Sequence, residues 1–142
     1  MQTVYRYWAA LVFLAVIVQV AFAGFGAFGV ASDVADGKSV NEDRFDDLWG
    51  LHTGWGYAVL LGALVLLAIA AAARVGKRRV LHTAGLFGLV IVQILLAWFG
   101  EEVPAIGALH PLNAFLVLGM SAWLAMTAWR GPGRFERMAG GA

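Results

Sequence analysis

Four long apolar windows constrain this chain more than anything else in it. They run approximately over residues 5–28, 51–73, 80–99 and 109–129, and none contains Asp, Glu or Lys. Each has the ~20 residues that a helix needs to cross a hydrocarbon core of roughly 30 Å. In hydrocarbon every backbone N–H and C=O must be paired within the protein, and at this length a helix does so inside each segment. The one Arg in any window is Arg6, near the edge of the first. With 61% hydrophobic and 13% charged residues and a mean hydropathy of +0.78, an ordinary soluble domain is excluded. The gaps are short, so residues 1–142 read as a single four-span membrane domain.

Charge placement orients the spans. Arg74, Lys77, Arg78 and Arg79 fill the second gap, and Arg130, Arg134 and Arg137 crowd a basic tail over 130–142. The first and third gaps hold Asp33, Asp36, Glu42, Asp43, Asp46, Asp47, Glu101 and Glu102 against only Lys38 and Arg44. The positive-inside bias therefore predicts both termini in the cytoplasm, acidic gaps outside, and a tail that touches lipid headgroups. The net charge of +1 offers nothing to nucleic acid. The first window has the outline of a secretory signal, with Ala21-Phe22-Ala23 resembling a cleavage site, but its apolar run is longer than a signal core.

That window is also repeated, which argues for a retained helix. Val16 to Gly26 reads Val-Ile-Val-Gln-Val-Ala-Phe-Ala-Gly-Phe-Gly and matches Val90 to Gly100 at seven of eleven positions without a gap. Each copy is followed by an acidic segment and then by a Leu-His pair opening another apolar run, Leu51-His52 and Leu109-His110. The expected fold is an all-α, antiparallel four-helix bundle built from two parallel helix-hairpin repeats. In the outer link, taken as 31–50, Ser39-Val40-Asn41-Glu42 has the spacing of a capping box and predicts a short helix. Phe45, Leu48, Trp49 and His52 would share one face of it, either lying among headgroups or forming a lid.

The repeat makes His52 and His110 equivalent, facing each other across the bundle near its outer end. Two neutral imidazoles from two helices at one depth are what a six-coordinate b-type haem requires. Gly54, Gly56 and Ala114 leave room beside them, and Arg44 and Lys38 are the outer cations available to anionic groups. The plain alternative is two interfacial histidines that meet water. Gln19 and Gln93, the only uncharged amides inside the first and third spans, either lock the two repeats together or line the cavity floor. His82 heads the third span on the basic side, about 30 Å from the other two, so it does not serve the same centre; it either caps its helix or faces headgroups, or else serves a quinone site or a second haem with an unconventional partner. With no cysteine, disulfides and covalent haem attachment are excluded.

At these positions the chain resembles one four-helix half of haem A synthase, a family of two tandem four-helix units. Each unit carries a haem-ligating histidine near the outer end of its second and fourth helices, where His52 and His110 stand. It also resembles small stand-alone four-span bacterial membrane proteins of unassigned function, with a Leu-His-Pro-x-Asn-Ala motif present here as Leu109 to Ala114. Trp49 occupies the place of a glutamate that haem A synthase has three residues before its first ligand, and the external cysteine pair of some members is missing. The resemblance therefore implies haem b binding rather than haem A synthesis, in a bacterial cytoplasmic membrane.

The reading is a membrane protein with one bis-histidine haem b, bound by His52, His110, Gly56, Ala114, Gln19, Gln93 and Arg44. It serves one-electron transfer or haem handling, with a quinone or a redox protein as partner. Two other functions fit the same residues: a cofactor-free structural or accessory subunit, and a small quinol or superoxide oxidoreductase. The carrier reading is preferred to a stand-alone enzyme. The glycine-rich faces suit packing within one bundle or between two copies.

Overall fold

The computed structural model describes residues 1–130, so the expected tail beyond Arg130 lies outside the described residues. The chain forms α1 (Gln2–Ala35), α2 (Glu42–Ala72), α3 (Lys77–Glu102), a single-turn α4 (Pro104–Gly107) and α5 (Leu109–Trp129). The four long helices are each long and apolar enough to cross a membrane. They form an all-α, up-down-up-down bundle. α1 packs on α2 and α5, and α3 packs on the same two, leaving α1 opposite α3 and α2 opposite α5.

One seam organises the packing. Its buried positions are Tyr5, Ala9, Val12 and Val16 on α1, and Val59, Ala63, Leu66 and Ala70 on α2. On α3 they are Thr83, Leu86 and Val90, and on α5 Val117, Ser121, Leu124 and Ala128. Every step along a helix is three or four residues, the 3.5-residue period that keeps a stripe facing its neighbours in a left-handed bundle. Alanines in the stripe allow close approach, which matters where lipid offers no hydrophobic drive. The opposite faces are apolar and exposed, as with Leu11, Leu14, Leu61, Leu64 and Leu116. A water-facing surface of this kind would aggregate, whereas in lipid it is solvated.

The first link is shorter than the sequence predicts. α1 runs on to Ala35 and α2 starts at Glu42, so only residues 36–41 lie between them. α1 ends in a Schellman motif in which Gly37 takes φ +71°, Gly37 N–H donates to Val34 O and Lys38 N–H to Asp33 O. The helix start is set by Asn41, whose side-chain oxygen accepts the Arg44 N–H at 3.0 Å, and not by a box at Ser39. Phe45, Leu48, Trp49 and His52 therefore sit on the outer turns of the second long helix, neither a separate interfacial helix nor a lid. Leu48 is buried there because α1 presents glycine. A Cβ on Gly29 would stand 2.5 Å from Leu48 Cδ2, and one on Gly26 2.8 Å from Trp49 Cδ2.

The second link uses the equivalent glycine. Gly100 lies 74 residues after Gly26, and a Cβ on it would stand 2.6 Å from Gly107 Cα of α4. Pro104 opens α4 and Pro111 lies in the first turn of α5, both where a missing N–H costs nothing. At the basic end, Arg74 takes the left-handed conformation (φ +49°) that follows α2, a place usually held by glycine.

Candidate functional site

The seam changes character toward the acidic end of the bundle. Continuing the same spacing, α1 and α3 reach Gln19 and Gln93, while α2 and α5 reach Gly56 and Ala114 and then His52 and His110. Large apolar side chains give way to two amides, two imidazoles and two very small residues. A cavity results, lined by these six residues among others. Its volume is about 170 Å³, and it is open on one side. Its exposed lining, which forms the rim, is Val20 of α1, Thr53 and Tyr57 of α2, and Trp98 and Glu101 of α3.

Each repeat holds its histidine with a reciprocal latch. In the second, His110 Nδ1 lies 3.0 Å from Gln93 O, while Gln93 Nε2 donates back to His110 O at 3.0 Å. In the first, His52 Nδ1 lies 3.2 Å from Gln19 O, and Gln19 Nε2 donates to His52 O at 2.8 Å. A backbone carbonyl can only accept, so each contact selects the tautomer with the proton on Nδ1; the His110 Nε2 lone pair is then left without a partner, whereas that of His52 lies within reach of the Gln19 amide. Gln19 Nε2 also approaches the His52 ring, at 3.1 Å from Nδ1 and 3.3 Å from Nε2. The amides thus tie the two helices of one hairpin together. They do not bridge the two repeats, because each Gln sits one helix away from its own histidine and a diagonal away from the other amide.

The two rings meet across the bundle. Their centres are 6.2 Å apart and their planes make an angle of 61°. The Trp49 ring stands edge-on to His52 at 5.4 Å and stacks on Phe45 at 5.9 Å, fixing the outer side of the first ring. An imidazole nitrogen binds a metal at about 2 Å and its ring centre lies about 1 Å further back, so two rings on opposite sides of one ion have centres about 6 Å apart. The spacing fits such a pair. Among the described residues, no group of three or more His, Cys, Asp or Glu side chains gathers to form a metal site, here or elsewhere.

Not every sequence-predicted residue arrives here. Arg44 points away from the cavity and donates through Nε to Asp33 Oδ2 at 2.7 Å. Asp33 is buried at the end of α1 and also receives Lys38 Nζ at 3.3 Å, so both outer cations are spent on closing the link. Gly54 is exposed on the far side of α2 and makes room for nothing. Gly56 is in the cavity, but a Cβ there would meet Gln19 Nε2 at 3.2 Å, so its smallness serves the amide first. His82 lies in a second cavity at the basic end, its ring 4.7 Å from Trp123.

Sequence reasoning missed the rim and one further polar residue. Glu101 falls eight residues after Gln93 on the seam of α3, a spacing that places it at the mouth. Asn113 is buried and donates both to Leu89 O at 3.0 Å and to Gln93 Oε1 at 2.7 Å. The link has its own electrostatics. At 34 residues, α1 is about 51 Å long, so Asp33 in its last turn projects past the hydrocarbon. Arg44 there, with Lys38 behind it, holds the Asp33 carboxyl below the usual carboxylate range. Asp36 and Asp33 in turn hold the Lys38 ammonium above the usual lysine range.

Fold and cavity together define an all-α membrane four-helix bundle with a polar cleft at one end. The chain belongs to a family of unknown function, DUF6220, whose pattern matches residues 19–100. That stretch opens at Gln19, contains His52, Gly56 and Gln93, and stops short of His110. No curated protein and no solved structure matches the chain.

Proposed function

We propose that the cleft holds one haem b between His52 and His110 and that the protein is a small membrane cytochrome serving one-electron transfer or haem handling. The observation that carries this reading is the pair of rings 6.2 Å apart, each with Nδ1 against the carbonyl of its own repeat's glutamine. His52 and His110 would hold the haem iron through Nε2. Gln19 and Gln93 orient the rings, and a hydrogen bond at Nδ1 raises the basicity of the other nitrogen. Gly56 and Ala114 keep the flanks of the histidines open. Val16, Val59, Val90 and Val117 close the floor and exclude water from the buried side. When bound, a haem supplies reversible one-electron chemistry that none of these side chains possesses.

The resemblance to one half of haem A synthase belongs to this proposal, as does the orientation with the cleft on the non-cytoplasmic face of a bacterial cytoplasmic membrane. A quinone or a redox protein would exchange electrons at the open side, where Trp98 and Tyr57 flank the mouth. The test is the absorption spectrum of the protein purified in mild detergent. A Soret band with a sharp reduced α-band, one haem per chain, is expected. A colourless preparation that takes up no added haemin would favour the cofactor-free accessory reading and end this one.

A further inference from the structure

The end of the bundle opposite the histidines contains a second cavity, of about 550 Å³, that the proposed function does not use. Arg6 comes to it from α1, Lys77, Arg78 and Arg79 from the start of α3, and Arg130 from the end of α5, with His82 beside them. Among the described residues, no carboxylate lines it. Three ion pairs occur among the described residues, all in the Asp33–Lys38–Arg44 link at the other end, so none neutralises this group.

Like charges gathered from three helices around a concave space repel one another, and among the described residues none of opposite sign is paired with them. α3 adds to the field. Its N-cap is Gly76, which supplies no side-chain cap, so the first N–H groups of the helix are left to an outside acceptor. Arg79 is held in place from behind, donating through Nη2 to Thr127 O at 3.3 Å and lying 5.9 Å over the Tyr5 ring. Tyr5 in turn shares a 3.0 Å hydrogen bond with Thr83. One cation is therefore fixed at the wall, while Lys77, Arg78 and Arg130 are exposed and able to close on a ligand.

We propose that this cavity binds a phosphate group, that of an anionic lipid headgroup in the leaflet it faces. A phosphodiester supplies the missing negative charge and several acceptor oxygens, and its acyl chains continue along the apolar outer faces of the bundle. Basic pockets between membrane helices are suited to such headgroups. The assignment is independent of any cofactor at the other end.

Native mass spectrometry of the detergent-solubilised protein tests it. Phosphatidylglycerol is expected to be retained at concentrations at least about tenfold lower than phosphatidylcholine of the same chain length, and less so as salt rises. The double variant Lys77→Gln, Arg78→Gln changes two exposed side chains and should weaken that retention by roughly thirtyfold. Lys38→Gln, at the opposite end, should leave it unchanged. If inorganic phosphate at about 10 mM displaces the lipid, the ligand is a soluble phosphate and the headgroup assignment falls. Equal retention of both lipids by the unaltered protein overturns the site altogether, as does full retention by a double variant of unchanged helical content.

Discussion

The two hairpins of this bundle hold their histidines by the same pair of glutamine hydrogen bonds, and they differ in what the glutamine oxygen meets. Trp55 lies three residues after His52, as Asn113 does after His110. Trp55 Nε1 donates to Ala15 O at 2.8 Å, and Asn113 Nδ2 to Leu89 O, the carbonyl 74 residues further on. Asn113 has a second N–H and spends it on Gln93 Oε1. An indole has only one. Gln19 Oε1 is accordingly left buried with no partner, whereas Gln93 Oε1 is satisfied. The second hairpin is thus the completed version and the first carries a buried, unpaired acceptor. The links differ as well, with the first closed by ion pairs and the second by glycine against glycine.

The comparison can be broken at several levels. If both rings bind one metal centre, His52→Ala and His110→Ala should each abolish the haem spectrum, and His82→Ala should keep it, read by haem content per chain. Loss on one substitution alone would reduce the pair to a single ligand. Next come the equivalent glycines. Gly100→Ala drives a methyl into backbone and should cost about 1–3 kcal/mol, while Gly26→Ala meets chiefly the Trp49 ring, which can shift, and should cost less. Unfolding midpoints in detergent rank them.

The amides give a smaller effect. Gln93→Met breaks the bonds to both His110 and Asn113, but Gln19→Met removes an unpaired acceptor along with its donor. The first should destabilise more than the second, by about 1 kcal/mol or less, the scale of polar bonds between membrane helices. Equal midpoints would mean that Gln19 Oε1 already has a partner in solution. The smallest effect concerns pH. The Asp33 carboxyl is held below its ordinary value near 4, so the ion-paired link is intact above about pH 4 and loosens as pH falls through the depressed value. Amide protection over residues 33–44 should fall on acidification from about pH 6 to about pH 3, while the uncharged contact between Gly100 and Gly107 keeps its protection.

Much of this was legible in the chain. The spans show as uncharged windows, and the gapless match from Val16 to Val90 places Gln19 and Gln93 in register. The Leu-His pairs then locate the two rings. The limits of the first link were not legible, because Asn41 and Ser39 both have capping chemistry and only the Arg44 N–H decides between them. The equivalence of Trp55 and Asn113 was hidden too. An indole and an amide look unrelated by type, and only the carbonyl they share relates them. Arg44 was misassigned to the site because sequence counts charges by gap, whereas the buried Asp33 claims this one.

Nearly every side-chain hydrogen bond described here stays inside one hairpin. Among the described residues, Tyr5 to Thr83 is the one that crosses from the first hairpin to the second, and it sits at the basic end. The bundle is therefore two self-contained arms riveted at one point, like the blades of a pair of shears. Spreading the arms at the histidine end breaks none of these hydrogen bonds, so the width of the cleft is held by packing alone.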